Sequence, residues 1–72
     1  MGNVATFNEF VGHVEQRMLE IGCDRDFEIH PIMPWLTWGD DSFHFDGVRA
    51  RREGMREQVN EAVARICDGY DD

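Results

Sequence analysis

Five side chains in this sequence are of types that hold transition metals: His13, Cys23, His30, His44 and Cys67. Structural zinc sites are built from ligand pairs a few residues apart, because two such ligands on one turn can reach one ion. Here no two of the five stand closer than seven residues, so the spacing predicts no metal and no other cofactor. His13 lies beside an apolar helical stripe, and His30 and His44 fall on the polar faces of short strand-like segments. Cys23 and Cys67 each follow a helix terminus and could approach one another. Two cysteines with no visible export segment nevertheless read as reduced, semi-buried thiols of a cytoplasmic protein.

Acid, base and nucleophile types also occur together once. Asp40, Asp41 and Asp46 flank His44, with Thr37 and Ser42 close by, a set that superficially offers a general acid, a base and an orienting group. No nucleophile-elbow context surrounds either hydroxyl, and a water-exposed loop of these types is turn and capping chemistry. The chain has no lysine; all seven basic residues are Arg, in keeping with a GC-rich coding sequence. That removes Schiff-base catalysis and the P-loop phosphate ligand. A chain of 72 residues also has little volume with which to wall a pocket of several hundred cubic ångströms. The expectation is a protein that is not an enzyme.

The elements that position these residues follow from periodicity. Phe7, Phe10, Val11, Val14, Met18 and Ile21 recur three and four apart, one face of a helix. Thr6 and Glu9 fit a capping box at its start, and Gly22 stands where a C′ residue is wanted. The spacing predicts a helix from Thr6 to Ile21, with Gly12 costing roughly 1 kcal/mol relative to Ala. Asp46 is a second N-cap candidate, followed by Val48, Met55, Val59, Ala62, Val63 and Ile66 at helical spacing. Arg49, Glu53, Glu57, Glu61 and Arg65 form a ridge in which Glu61 precedes Arg65 in the favourable order. The expected second helix runs from Asp46 to Cys67, weakest at Gly54, with Gly69 as its stop and residues 69–72 as a frayed acidic tail.

Between the helices the texture changes. Phe27-Glu28-Ile29-His30 alternates apolar with polar, Pro31 and Pro34 bracket an irregular piece, and two aromatic runs, Trp35–Trp38 and Phe43–Phe45, flank the loop Gly39-Asp40-Asp41-Ser42. The whole, residues 1–72, reads as one small α+β domain: two amphipathic helices flanking a short two- or three-stranded antiparallel sheet. An isolated hairpin is marginal alone, so the sheet must lean on the helices.

Composition narrows the function. Fifteen acidic against seven basic residues give −8, which argues against direct nucleic-acid binding, since phosphate neutralisation needs clustered cations. No apolar run is long enough to span a bilayer. Gly2 with Thr6 matches an acylation pattern; Thr6 is explained as a cap and no polybasic second signal accompanies it, so the match reads as chance. What remains is surface. Trp35 and Trp38 lie in an extended run beside Met33 and Pro34, and an exposed Trp there would be an interface anchor. Acids gather at Asp24, Asp26 and Glu28, at Asp40, Asp41 and Asp46, on Glu53, Glu57 and Glu61, and at Asp68, Asp71 and Asp72. The expected partner-binding set is Trp35, Trp38, Asp40, Asp41, Asp46, Glu53, Glu57 and Glu61. The profile implies a small acidic inhibitor or modulator that binds a protein. Its most specific form is phage- or mobile-element-encoded and blocks a nucleic-acid-handling host complex such as a CRISPR effector or polymerase. The alternatives are an accessory subunit of a larger assembly or homodimer, and a metal- or ligand-binding regulator.

Overall fold

The apolar spacing of the N-terminal third produces α1 (Asn3–Glu20), on which Phe7, Phe10, Val11, Val14 and Met18 are buried while Ile21 just beyond is half-buried. The structure is a computed structural model describing residues 3–68, with side chains from residue 6 onward. The helix starts one turn earlier than the Thr6 capping box predicts, so Thr6 and Glu9 lie within it. Asn3-Val4-Ala5 contains no Gly or Pro, and once nucleated a helix gains a hydrogen bond for each residue added. Its C-terminus closes as expected: the Cys23 amide donates to the Met18 carbonyl (2.9 Å) and the Gly22 amide to Leu19 (3.2 Å), the double bond of a Schellman motif.

The central segment forms β1 (Glu28–Ile29), β2 (Trp35–Trp38) and β3 (Asp41–His44), an antiparallel sheet in the order β1-β2-β3. Trp38 pairs with Asp41, so the turn is Gly39–Asp40 and not the four-residue loop suggested by composition. Gly39 has φ +59° and no non-Gly residue among the described residues has positive φ, the pattern of a two-residue turn with Gly in first place. Asp41 and Ser42 are thereby drawn into the strand. Phe45 lies past its end, yet its amide still donates to the Pro34 carbonyl at 3.0 Å.

The expected long second helix is two helices, α2 (Gly47–Glu53) and α3 (Arg56–Ile66). Gly54 breaks it, with φ 86° and ψ 172°, a combination essentially confined to glycine. Asp46 does cap α2, its carboxylate accepting from the Arg49 amide at 3.0 Å. The break turns α2 out of line with α3, so Val48, expected on the core stripe, is 62% exposed. Ala50 is the buried residue of α2, while Val59, Ala62, Val63 and Ile66 of α3 are buried as the stripe predicts.

One core joins these elements. Phe10 stacks on Phe45 (4.5 Å) and Phe43 (5.8 Å), and Phe7 lies 5.8 Å from Phe45, an offset aromatic cluster linking α1 to the β3 side of the sheet. Leu36, paired with Phe43, fills the centre with Ala62 and Ile66. Cys23 and Cys67 form a disulfide with Cα atoms 6.1 Å apart, so the expectation of free thiols is corrected. The Schellman turn aims Cys23 inward, and α3 delivers Cys67, fully buried, to the same spot.

Candidate protein interface

Strand alternation divides β2 between two faces. Leu36 and Trp38 point to the core side, where Leu36 is buried and Trp38 packs against the cluster. Trp35 and Thr37 point the other way, together with their register partners His44, Ser42 and Glu28, and none of these belongs to the core cluster. The two tryptophans are therefore separated.

On this outer face Trp35 is half-buried by imidazoles alone among the ring contacts of the described residues. His44 stacks on it at 4.1 Å with planes 13° apart, and His30 leans on its other side at 5.0 Å and 60°. Both histidines are fixed locally. The Nδ1 of His30 accepts from the Ile32 and Met33 amides (3.1 and 2.9 Å), so the ring itself folds the Pro31–Pro34 bend. The His44 Nε2 lies 3.2 Å from Ser42 Oγ. At the rim of the same bend, Ile32 is 82% and Met33 41% exposed, and Ile29 of β1 is half-exposed. The result is a preset patch: a rigid indole, two imidazoles and a protruding apolar corner.

The acidic residues of the expected set have partners of their own. Arg49 gathers three of them, donating to Glu57 (2.9 Å), Glu61 (3.1 Å) and Glu53 (3.4 Å). These partners, Glu61 foremost, raise the Arg49 pKa still further above its ordinary value. The expected Glu61–Arg65 pair does not form; Arg65 instead sits over Trp38 (5.6 Å) and Phe43 (5.9 Å) and 3.9 Å from Asp41. Asp46 is occupied as a cap, and Asp40 is exposed on the hairpin turn. The structure thus joins Trp38, Asp41 and Arg65, while Asp46, Arg49, Glu61 and Arg65 border an open concavity with Ser42 and His44, on which Trp35 stacks. Asp71, Asp72, Gly69 and the Met1-Gly2 acylation pattern lie outside the described residues.

Two residues whose structural part is not evident from their types shape this region. Gln58 is 1% exposed, and its side-chain amide bonds both backbone groups of Asp46, accepting from the N–H (2.9 Å) and donating to the C=O (3.0 Å). It stands at a stripe position, four before Ala62, which was the available signal. By sequence His30 is a metal-ligand type on the polar face of a short strand, and the two prolines that frame its bend are the signal for its part in the turn.

Ser42 and His44 are within hydrogen-bonding distance, but no carboxylate bonds the other nitrogen of His44 among the described residues. No group of three or more His, Cys, Asp or Glu among the described residues could hold a metal ion. An open groove of about 670 Å³ lies between α1 and α3, lined by Glu9, His13, Arg17, Met55, Arg56 and Val59. No helix among the described residues is long and apolar enough to cross a membrane. Comparison with protein-family models, with curated proteins and with solved structures finds no match to this chain.

Proposed function

We propose that this domain is a non-enzymatic protein-binding module that docks through the outer face of its sheet, with Trp35 as anchor. The observation that carries this reading is the indole held between His30 and His44 beside exposed Ile32 and Met33. Such a side chain contributes a large contact area and loses little conformational freedom on binding, which is why Trp dominates interface hot spots. Glu28 on the same face and Asp40 on the hairpin turn give the patch an acidic border. With −8 overall, the domain suits a partner with a basic surface, steered to it by charge and retained by the aromatic contact. Inhibition or modulation of a nucleic-acid-handling complex, by occupying its basic groove, is the most specific form of this proposal.

A second reading concerns the compartment. Structural disulfides are rare where thiols are kept reduced, so the buried Cys23–Cys67 bond favours a partner met in an oxidising compartment over a cytoplasmic one.

The test is binding to a partner captured from each fraction of the source cell and then purified. Trp35→Ala, verified as folded by circular dichroism, is expected to weaken binding about thirtyfold, mainly through faster dissociation. Reversing Asp40 and Asp41 to Arg is expected to slow association and flatten its dependence on salt. A folded Trp35→Ala variant that binds as tightly as the parent overturns the proposal.

A further inference from the structure

The chain between His30 and Trp35 is tied to one atom. Pro31 and Pro34 have no N–H, so the amide donors of the bend they frame are those of Ile32 and Met33. Both donate to the same acceptor, Nδ1 of His30, at 3.1 and 2.9 Å. The Met33 carbonyl accepts in turn from the Trp35 amide (2.8 Å), and the His30 amide donates to the Trp35 carbonyl (3.0 Å). The imidazole is the one side chain in this hydrogen-bonded set. A neutral imidazole accepts at one nitrogen and carries its proton on the other, so the bend requires the proton of His30 on Nε2. His44, also against Trp35, has no such requirement. Its Nε2 faces a hydroxyl, Ser42 Oγ at 3.2 Å, which accepts as readily as it donates. Its stack on the indole at 4.1 Å suits a cation as well as a neutral ring.

We propose that His30 is a proton-operated latch on the outer face of the sheet. Uptake of a second proton, at Nδ1, turns the acceptor into a donor aimed at two amide donors. The Ile32 and Met33 amides then lose their partner, the bend opens, and the exposed apolar corner leaves the position the bend gives it. The proposal rests on the reading of this face as the docking surface and gives that surface a regulator: set while His30 is neutral, released in acid. Imidazole ordinarily changes charge between about pH 5 and pH 8. The charged groups around the two rings leave this latch unopposed. Glu28, the register partner of Thr37, shares the face, and β2 adds only Trp35 and Thr37, neither of which titrates in that range. Asp46, Arg49, Glu61 and Arg65 border a concavity with His44, not with His30. Neither imidazole joins an ion pair among the described residues, so no salt link competes with the two amides for His30.

The latch is read on the chain itself, without a partner, by NMR from about pH 8 down to about pH 5. The Ile32 and Met33 amide resonances are expected to move together with the His30 ring and to lose protection from exchange in acid, while those of α1 and α3 hold still. His30→Asn keeps a side-chain oxygen that accepts from amides just ahead in the chain, as Asn before Pro does in turns, and it does not titrate. This variant is expected to hold the bend across the whole range. His13→Gln with His44→Gln is expected to respond like the parent. Binding of the partner purified in the test above is expected to weaken by up to about tenfold per unit fall in pH, the limit for uptake of one proton, in the parent and not in His30→Asn. The latch is overturned if the two amides ignore pH, if they respond unchanged in His30→Asn, if the response vanishes with His13 and His44, or if binding falls alike in parent and His30→Asn. A flat NMR titration removes the latch and leaves the docking face standing; tight binding by Trp35→Ala removes the docking face, and the titration still decides whether the bend opens.

Discussion

Gln58 does the work of a backbone strand at a place where no strand exists. Asp46 lies between the end of β3 and the start of α2; its amide donates to the Gln58 side chain, and its carbonyl accepts from Gln58 as well as from the Ala50 amide. Leaving buried polar groups unpaired costs more than a satisfied hydrogen bond gains. Gln58→Leu fills similar volume but leaves the Asp46 amide without its partner, the carbonyl keeping the Ala50 N–H (3.0 Å), so it is expected to lower unfolding stability by about 1–3 kcal/mol in urea titrations. Gln58→Glu keeps the acceptor, loses the donor and adds a charge, and is expected to be no better. An unchanged midpoint in both would mean that water replaces the amide at no cost. A sequence reading that counts apolar residues misses such a position. Its value depends on a loop twelve residues earlier supplying two backbone groups, and nothing local specifies that. The same holds for Arg49, whose charge is legible but whose choice of three glutamates depends on how α2 turns against α3.

At the scale of elements, two glycines once counted together as weak points are opposites. Gly12 is helical and exposed, and a Cβ there meets nothing within 4 Å. Gly12→Ala is expected to stabilise the domain by up to about 1 kcal/mol. Gly54 is equally uncrowded but has φ 86°, and Gly54→Ala is expected to destabilise by about 1–3 kcal/mol. Thermal unfolding of the two variants side by side checks both signs. A stabilised Gly54→Ala would mean that α2 and α3 had fused into the single helix that periodicity suggests. That suggestion was reasonable, because Val48 and Met55 are seven residues apart and would share a face if the helix were continuous. The hairpin, the alternation of β2 and the α1 and α3 stripes were legible because each is a local pattern. The start of α1 was not, because Thr6 makes a good cap in isolation and nothing upstream forbids another turn.

For the whole molecule, the Cys23–Cys67 bond sets both stability and topology. In the chain-entropy account, a cross-link spanning 44 residues stabilises by about 4 kcal/mol, a large share of what so small a domain can have. Reduction, or Cys23→Ser with Cys67→Ser, is expected to lower the melting temperature by tens of degrees or to unfold the chain. A melting curve indifferent to reductant would show that the thiols are unpaired in solution. Pairing was open from sequence because the two residues are distant in the chain and only the packing of α1 against α3 brings their ends together. The bond also makes the chain a closed ring from residue 23 to residue 67, carrying the whole sheet, α2 and α3, with α1 as its only described arm. A single cut inside that ring opens a circle without releasing a piece. Trypsin acting at exposed Arg51 or Arg52 would leave a product that migrates as one species until reductant is added. The corner richest in cleavable arginines is thus the one where a nick severs no part of the fold from the rest.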